Sequence, residues 1–437
     1  MIFLLYCVYI RKKIKYNCLE PGIRSPLQMS VLSFRAVMKI FYGKDEVPMS
    51  QFISQLAENY PVSGIRRMFD LAAGKQDIVN LCNGEPNFDT PENIKQPAIR
   101  SIEANQTRYA PEAGLPAFRK AVAAKYTRQF GRPFTEQNVM AAAGGVEGVI
   151  LSFMTVLNPG DEVIIPDPAY TCYQGQAELL GAKVVRVPLK EEHGFRLQPE
   201  DLEAVITPKA KVVLLNYPSN PVGAVLTPEA GAALAEVILR HNLIVVSDEV
   251  YENILFDGRK HYSIAQAPGM EDHTLVVNSL SKTYAMTGWR VGYVVSSNLE
   301  IMTKMVKMQQ ALISCLPGFV MAGAAEALNG SQDSVEYMSE QYARRRDLMV
   351  SMLSEVPGFK VFRTEGSFCV FINIKDYHID SFAFCKELLE EAHVLTVPGT
   401  AFGSQGQGYI RMCFANSDEN IVEGCTRIKN YLEKRGF

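Results

Sequence analysis

From Val139 onward, short apolar runs alternate with segments of helical spacing, and this alternation leaves few folds open. The runs are Val139–Ala143, Glu162–Pro166, Ala182–Pro188, Lys211–Asn216, Leu243–Asp248, Leu275–Asn278 and Arg290–Val295. They are rich in Val, Ile and Leu, as expected of strands buried on both faces, and the stretches between them suit crossover helices. The pattern predicts an α/β fold built on a parallel sheet covered on both sides. Such a sheet binds ligands outside the C-terminal ends of its strands, so the residues just after each run are where chemistry is expected.

The richest of these junctions runs from Val277 to Val295, VNSLSKTYAMTGWRVGYVV. Apolar residues bury its flanks, and the turn between them brings Ser279, Ser281, Lys282 and Arg290 together. Two hydroxyls and a guanidinium make an anion pocket, and Arg is the side chain best shaped for phosphate oxygens. A lysine partly desolvated beside them has its ammonium disfavoured and becomes an amine nucleophile toward an aldehyde. Phosphate and aldehyde together describe pyridoxal phosphate. A lone lysine is ordinarily a surface residue. Ser-x-x-Lys, followed eight positions later by Arg290 inside an apolar frame, points the other way.

Other junctions carry matching features. Gly144-Gly145-Val146 sits at a strand-to-helix turn, where free amides and the positive helix end form a phosphate cradle at Gly145 and Val146. Tyr170, after the second run, points toward the ligand crevice or packs on the next helix. Asn220-Pro221 follows the fourth run and marks a turn, with a cis bond open to it. Asp248 ends a buried run, which is costly for a carboxylate without a cationic partner. A protonated pyridine nitrogen is such a partner, and a helix N-cap is the plainer role. Arg411 stands inside the apolar run Tyr409–Phe414, where a substrate carboxylate or an internal salt bridge would answer its charge. Gly84, in Asn83-Gly84-Glu85-Pro86, makes a turn that lets backbone amides approach a ligand.

Taken in order, these residues resemble the class I/II aminotransferases, the fold type I pyridoxal-phosphate enzymes, over roughly residues 60–435, and look most like the aromatic and broad-specificity aspartate aminotransferase branch. The resemblance implies a large doubly wound mixed-sheet domain at 96–325, and a smaller α/β domain built from 49–95 and 326–437. It implies that Lys282 bonds the cofactor aldehyde and serves as base, that Asp248 holds the ring nitrogen protonated, and that Tyr251 and Asn220 reach the phenolic oxygen. Tyr170 then stacks on the ring, and Ser279, Arg290, Gly145 and Val146 take the phosphate. Gly84, Asn220 and Arg411 meet the substrate. Tyr109 resembles the tyrosine that crosses a homodimer interface to the other subunit's cofactor; the plainer role is a loop aromatic over a helix end. One departure is Glu365-Gly-Ser367, where the family usually has Pro-x-Gly-Ala. The implied reaction is ping-pong transfer of an amino group from an L-amino acid to a 2-oxo acid such as 2-oxoglutarate. Aromatic or other uncharged donors are expected because Val146 stands where one dicarboxylate-selective branch has lysine, with aspartate kept within a broad range. A carbon–sulfur β-lyase on the same cofactor, or a ligand sensor without turnover, are the alternatives.

Composition narrows the setting. The 437 residues carry a formal net charge of -3 and no basic stripe, which argues against nucleic acid as a partner. Nine cysteines without a Cys-x-x-Cys pair suit reduced thiols in a cytoplasm, and six histidines in no ligand spacing predict no metal. Residues 1–48 are atypical: apolar Met1–Ile10 and then Arg11, Lys12, Lys13 and Lys15, too short an apolar run to span a bilayer. Poor order is expected there, with Met29, Met38 or Met49 as alternative starts, and no membrane partner is expected. The three arginines Arg344–Arg346 are expected on a solvated helix face, within a long amphipathic helical region after Val295.

Overall fold

The structure is a computed structural model that describes residues 52–60 and 63–436. The chain divides into one unit ending at Pro61 and another running from Val62 to Phe437. In the first, the Ser54 side chain accepts from the Ala57 amide and caps the helix Gln55–Asn59. The expectations for residues 1–48 fall outside the described residues.

The strands of the second unit are β1 Val79–Asn80, β2 Val139–Ala142, β3 Glu162–Asp167, β4 Lys183–Pro188, β5 Ala210–Asn216, β6 Ile244–Asp248, β7 Thr274–Ser279, β8 Gly292–Val295, β9 Lys360–Val361, β10 Cys369–Asn373, β11 Val394–Leu395, β12 Val397–Pro398 and β13 Tyr409–Cys413. Strands β2 to β8 form one sheet in the order β2-β8-β7-β6-β5-β3-β4. Six of the seven expected runs have both bounds within a residue of the observed strands. The exception is β8, expected from Arg290, which starts at Gly292 because Arg290 adopts the left-handed region with φ 52°. The short link after β7 turns the chain back, so β8 runs antiparallel to both neighbours and the sheet is mixed.

Coverage on both faces follows from the alternation of side chains. Along β5, Val213 and Leu215 pack with Leu234 and Ile238 of the helix Pro228–Arg240. Val212 and Leu214 face the other way, into Val149, Leu151 and Phe153 of the helix Gly145–Val156. Full burial of each such side chain stabilises by about 1.5–3 kcal/mol, so a polar residue at Leu214 would break the layer. A second, antiparallel sheet has the order β12-β13-β10-β9, and β1 pairs with β11 in parallel, tying an early segment to a late one.

The helical region expected after Val295 comprises three helices: Leu299–Leu312, Gly318–Asn329 and Asp333–Ser354. The expectation of a solvated face for Arg344–Arg346 holds only for Arg344. Arg345 bonds Asp418 and Asn87, and Arg346, 2% exposed, bonds both carboxylate oxygens of Asp257. Those partners lie far away in sequence, and they let two guanidinium groups be buried without being left unpaired.

Candidate active site

The C-terminal ends of β3, β5, β6 and β7 open into a cavity of about 380 Å³. Gly84, Gly145, Val146, Tyr170, Asn220, Asp248, Tyr251, Ser279, Lys282, Arg290 and Arg411 all line it. These eleven, and Ser281 beside them, are thus brought together as the sequence suggests. Tyr109 is not: it stands 91% exposed and away from this cavity.

One end of the cavity is built for an anion. Ser279 closes β7 and its Oγ accepts from the Ser281 amide at 3.1 Å, capping the short helix Leu280–Thr283. The two hydroxyl oxygens lie 2.8 Å apart. Arg290 donates to the carbonyls of Thr287 (2.9 Å) and Ala143 (3.2 Å), which holds its guanidinium against the turn before the helix Gly145–Val156. Gly144 has φ 86°, and a Cβ there would lie 2.6 Å from Arg290 Nη2, so only glycine lets the guanidinium reach this turn. The helix amides and its positive end point at the same place.

The other end carries Asp248, 5% exposed at the close of β6. Its Oδ2 accepts from the Tyr173 hydroxyl at 2.7 Å and its Oδ1 from the Val250 amide at 3.2 Å. Burial raises its carboxyl to about 6, against the pull of those two donors. Neither donor is cationic, so the carboxylate has its charge answered in full only by a positive group in the cavity. Asn216, at the end of β5, donates to the Asp248 carbonyl and accepts from the Asn220 amide, both at 2.9 Å. That pair fixes the loop in which Asn220-Pro221 is cis, as are Asp167-Pro168 and Tyr217-Pro218. Tyr251 packs edge-on against Phe368, ring centres 5.2 Å apart, and Tyr170 edge-on against Tyr173 at 5.5 Å.

Between the two ends, half-buried Lys282 donates to the Gly84 carbonyl and its Nζ lies 5.6 Å from the centre of the Phe368 ring. Burial lowers its ammonium to about 8, so a sizeable share of free amine exists near neutral pH. Arg411, 2% exposed in β13, donates from Nη2 to the Cys82 carbonyl and lies 3.4 Å from Asn220 Oδ1 through Nη1. Its buried Nε has no partner, and its guanidinium stacks 5.1 Å from the Phe402 ring centre. No internal carboxylate answers this charge among the described partners, which leaves the cavity side for an acid group.

Hydroxyls, guanidinium and helix amides at one end, a carboxylate at the other and an activated amine between them fit the phosphate, ring nitrogen and aldehyde of pyridoxal phosphate. Glu365 does not join the site; it bonds Arg196 and Arg259 and accepts from the Val225 amide. Tyr173, Asn216, Ile65 and Phe69 line the cavity without having been singled out from sequence. Tyr173 lies in the first turn of the helix Cys172–Leu179, just after Tyr170, whose ring it meets edge-on.

Comparison with known proteins agrees with this geometry. The model of the family described as aminotransferase class I and II matches residues 76–428. The chain is 40% identical to an aspartate aminotransferase of Pyrococcus horikoshii, over 85% of this chain and 95% of that one. It is 38% identical to aromatic-amino-acid aminotransferase 2 of Thermococcus litoralis, over 88% and 99%. Among solved structures, an aromatic aminotransferase from Pyrococcus horikoshii superposes with a TM-score of 0.80 at 38% identity, covering 84% of this chain and 99% of that one.

Proposed function

Since this chain belongs to the class I and II aminotransferases, we propose a division of labour among its cavity residues and a substrate range. The protein is a pyridoxal-phosphate-dependent aminotransferase of fold type I, moving an amino group from an amino acid to a 2-oxo acid. When bound, pyridoxal phosphate supplies a ring that stabilises negative charge at the substrate Cα. Ser279, Arg290 and the amides at Gly145 and Val146 hold the phosphate. Asp248 keeps a proton on the ring nitrogen, with Tyr173 orienting the carboxylate. Tyr170 packs on the ring face, and Asn220 and Tyr251 donate to its phenolic oxygen. Arg411 clamps the substrate α-carboxylate, assisted by Asn220 and the backbone at Gly84. Lys282 Nζ would take the proton from the substrate Cα and pass it to the cofactor carbon, and in the second half of the ping-pong cycle would carry a proton the opposite way. The observation that carries this reading is the lowered Lys282 amine standing in one cavity with the phosphate-binding end and the buried Asp248.

Three further assignments belong to the same proposal. A homodimer with shared sites is supported by Tyr109, whose 91% exposure leaves a large aromatic ring free for a partner subunit. Free thiols at the described cysteines support a cytoplasmic place in amino acid metabolism. The pairing of β1 with β11 supports a small domain made of 49–95 and 326–437 beside a large one at 96–325.

The donors are aromatic or other uncharged amino acids, with 2-oxoglutarate as acceptor. Ile65, Phe69 and Val146 offer apolar surface to a side chain. Arg66 is engaged with Asp70 at 2.9 Å, and Arg67 lies 4.3 Å over the Phe382 ring, so both early arginines have other partners. A panel of amino acids, each added to the loaded enzyme without acceptor, tests the reaction type. Stoichiometric 2-oxo acid with no ammonia supports transfer; pyruvate with ammonia would make the protein a lyase.

A further inference from the structure

Beside the cavity lies a pair of thiols that the transamination does not use. Cys369 and Cys413 stand directly opposite each other on antiparallel β10 and β13, with their Sγ atoms 3.1 Å apart. The next pair along, Phe368 and Phe414, is joined by a backbone hydrogen bond, whereas the Cys413 amide donates to Leu81 instead. Cys369 and Cys413 therefore form a non-hydrogen-bonded pair, the register in which opposed backbones approach most closely, about 4.5 Å between Cα atoms. That separation falls at the lower edge of the range a disulfide spans.

We propose that Cys369 and Cys413 form an oxidation site, a dithiol that hydrogen peroxide or a small organic hydroperoxide converts to a disulfide. The reagent enters by the cavity, whose wall includes Cys82; Cys413 Sγ lies 3.9 Å from the Cys82 carbonyl. The Cys413 thiolate attacks one peroxide oxygen and the O–O bond breaks, leaving a sulfenic acid and a hydroxide, or an alkoxide from an organic hydroperoxide, that takes up the Cys413 proton as water or alcohol. The Cys369 sulfur then attacks the sulfenic sulfur. The S–S bond forms, the S–O bond breaks, and the hydroxyl leaves with the Cys369 proton as water. Two electrons pass from the thiols to the peroxide.

The chemistry of the two sulfurs suits these roles. Burial opposes ionisation of Cys413, but the hydrogen bond with Cys369 and the charges of Arg411 and Lys282 outweigh it and hold the thiol below its ordinary value. Burial holds Cys369 well above its ordinary value, so it stays the resolving thiol. The consequence for the site runs through β13. Arg411 and Cys413 are two residues apart on one face of the strand, and both lean on the Cys82 carbonyl. Closing 3.1 Å to a bond of about 2 Å takes Cys413 Sγ off the Cys82 carbonyl that Arg411 also holds, and moves Arg411 off the position it holds for a carboxylate.

The test treats the holoenzyme with hydrogen peroxide and maps its peptides without reduction. A Cys369–Cys413 cross-linked peptide, lighter by two hydrogen atoms, is expected, with kcat/KM down about tenfold or more, as for a misplaced binding group, and restored by dithiothreitol. Cys369→Ala, which touches no substrate, is expected to keep its activity through the same treatment. Oxidation only at half-buried Cys172 and Cys315, or a Cys82–Cys413 link instead, would overturn the site. Equal, reversible inactivation of Cys369→Ala would overturn the coupling to Arg411. The coupling rests on Arg411 binding the substrate carboxylate; the cross-linked peptide does not, so the two failures are told apart.

Discussion

The Tyr173 hydroxyl donates to Oδ2 of Asp248 across 2.7 Å, both groups buried at the end of β6. The bond favours the charged carboxylate against the burial that raises it to about 6. In Tyr173→Phe the carboxyl should rise further, since its folded value already lies above the ordinary 3.8 and one of its two donors is gone. Cofactor binding should then weaken most near pH 6 to 7, by about tenfold for a lost charge-assisted bond, and recover toward pH 8. The check is the dissociation constant of pyridoxal phosphate against pH, in wild type and variant. A loss that is the same at every pH would mean Tyr173 only packs.

Lys282 gives a second pH dependence from the same cause, burial, with the opposite direction of shift. Burial lowers its ammonium to about 8 from 10.5, so the neutral amine predominates above that pH and the proton blocks it below. The association rate of pyridoxal phosphate with the cofactor-free protein should climb through pH 8 and level off above it. Stopped-flow absorbance measures this. A midpoint near the ordinary lysine value would show that the cavity does not activate the amine.

Tyr109 should act across a subunit boundary. Tyr109→Phe and Lys282→Ala homodimers, mixed and allowed to exchange, should produce a heterodimer with one undamaged site and so more activity than either parent. Activity that never exceeds the unmixed parents, or an active protein that sediments as a monomer, contradicts the shared site.

How far the site could be read from sequence depended on whether a residue's partner lay nearby in the chain. Lys282 with Ser279 and Arg290, or Gly144 with Gly145, are local patterns, and the strand alternation tells which end of the sheet they occupy. Arg345 and Arg346 read as solvated in sequence because their carboxylates, Asp418 and Asp257, come from elements that no periodicity links to them. The start of β8 is hidden for a related reason: Arg290 continues an apolar run in sequence, while its backbone is left-handed and its side chain bonds the distant Ala143 carbonyl. Tyr173 and Asn216 both bond Asp248, contacts that exist once β3, β5 and β6 lie side by side.

Substrate range is open to direct measurement. With Ile65, Phe69 and Val146 at the cavity and Arg66 held by Asp70, uncharged side chains should be favoured. At fixed 2-oxoglutarate, kcat/KM for phenylalanine, tyrosine and leucine should match or exceed that for aspartate. Aspartate ahead by about a hundredfold, nearly 3 kcal/mol of transition-state binding, would require a dedicated cation for its side chain.

The central claim is that one residue, Lys282, moves the substrate proton in a cavity whose other groups hold the cofactor without it. The decisive measurement is a single-turnover reaction of Lys282→Ala loaded with pyridoxal phosphate, alongside wild type, following 2-oxo acid release from phenylalanine. The variant should still retain cofactor through Ser279, Arg290 and the amides at Gly145, yet release 2-oxo acid at least about a thousandfold more slowly. Release at the wild-type rate by a fully loaded Lys282→Ala protein would contradict the account.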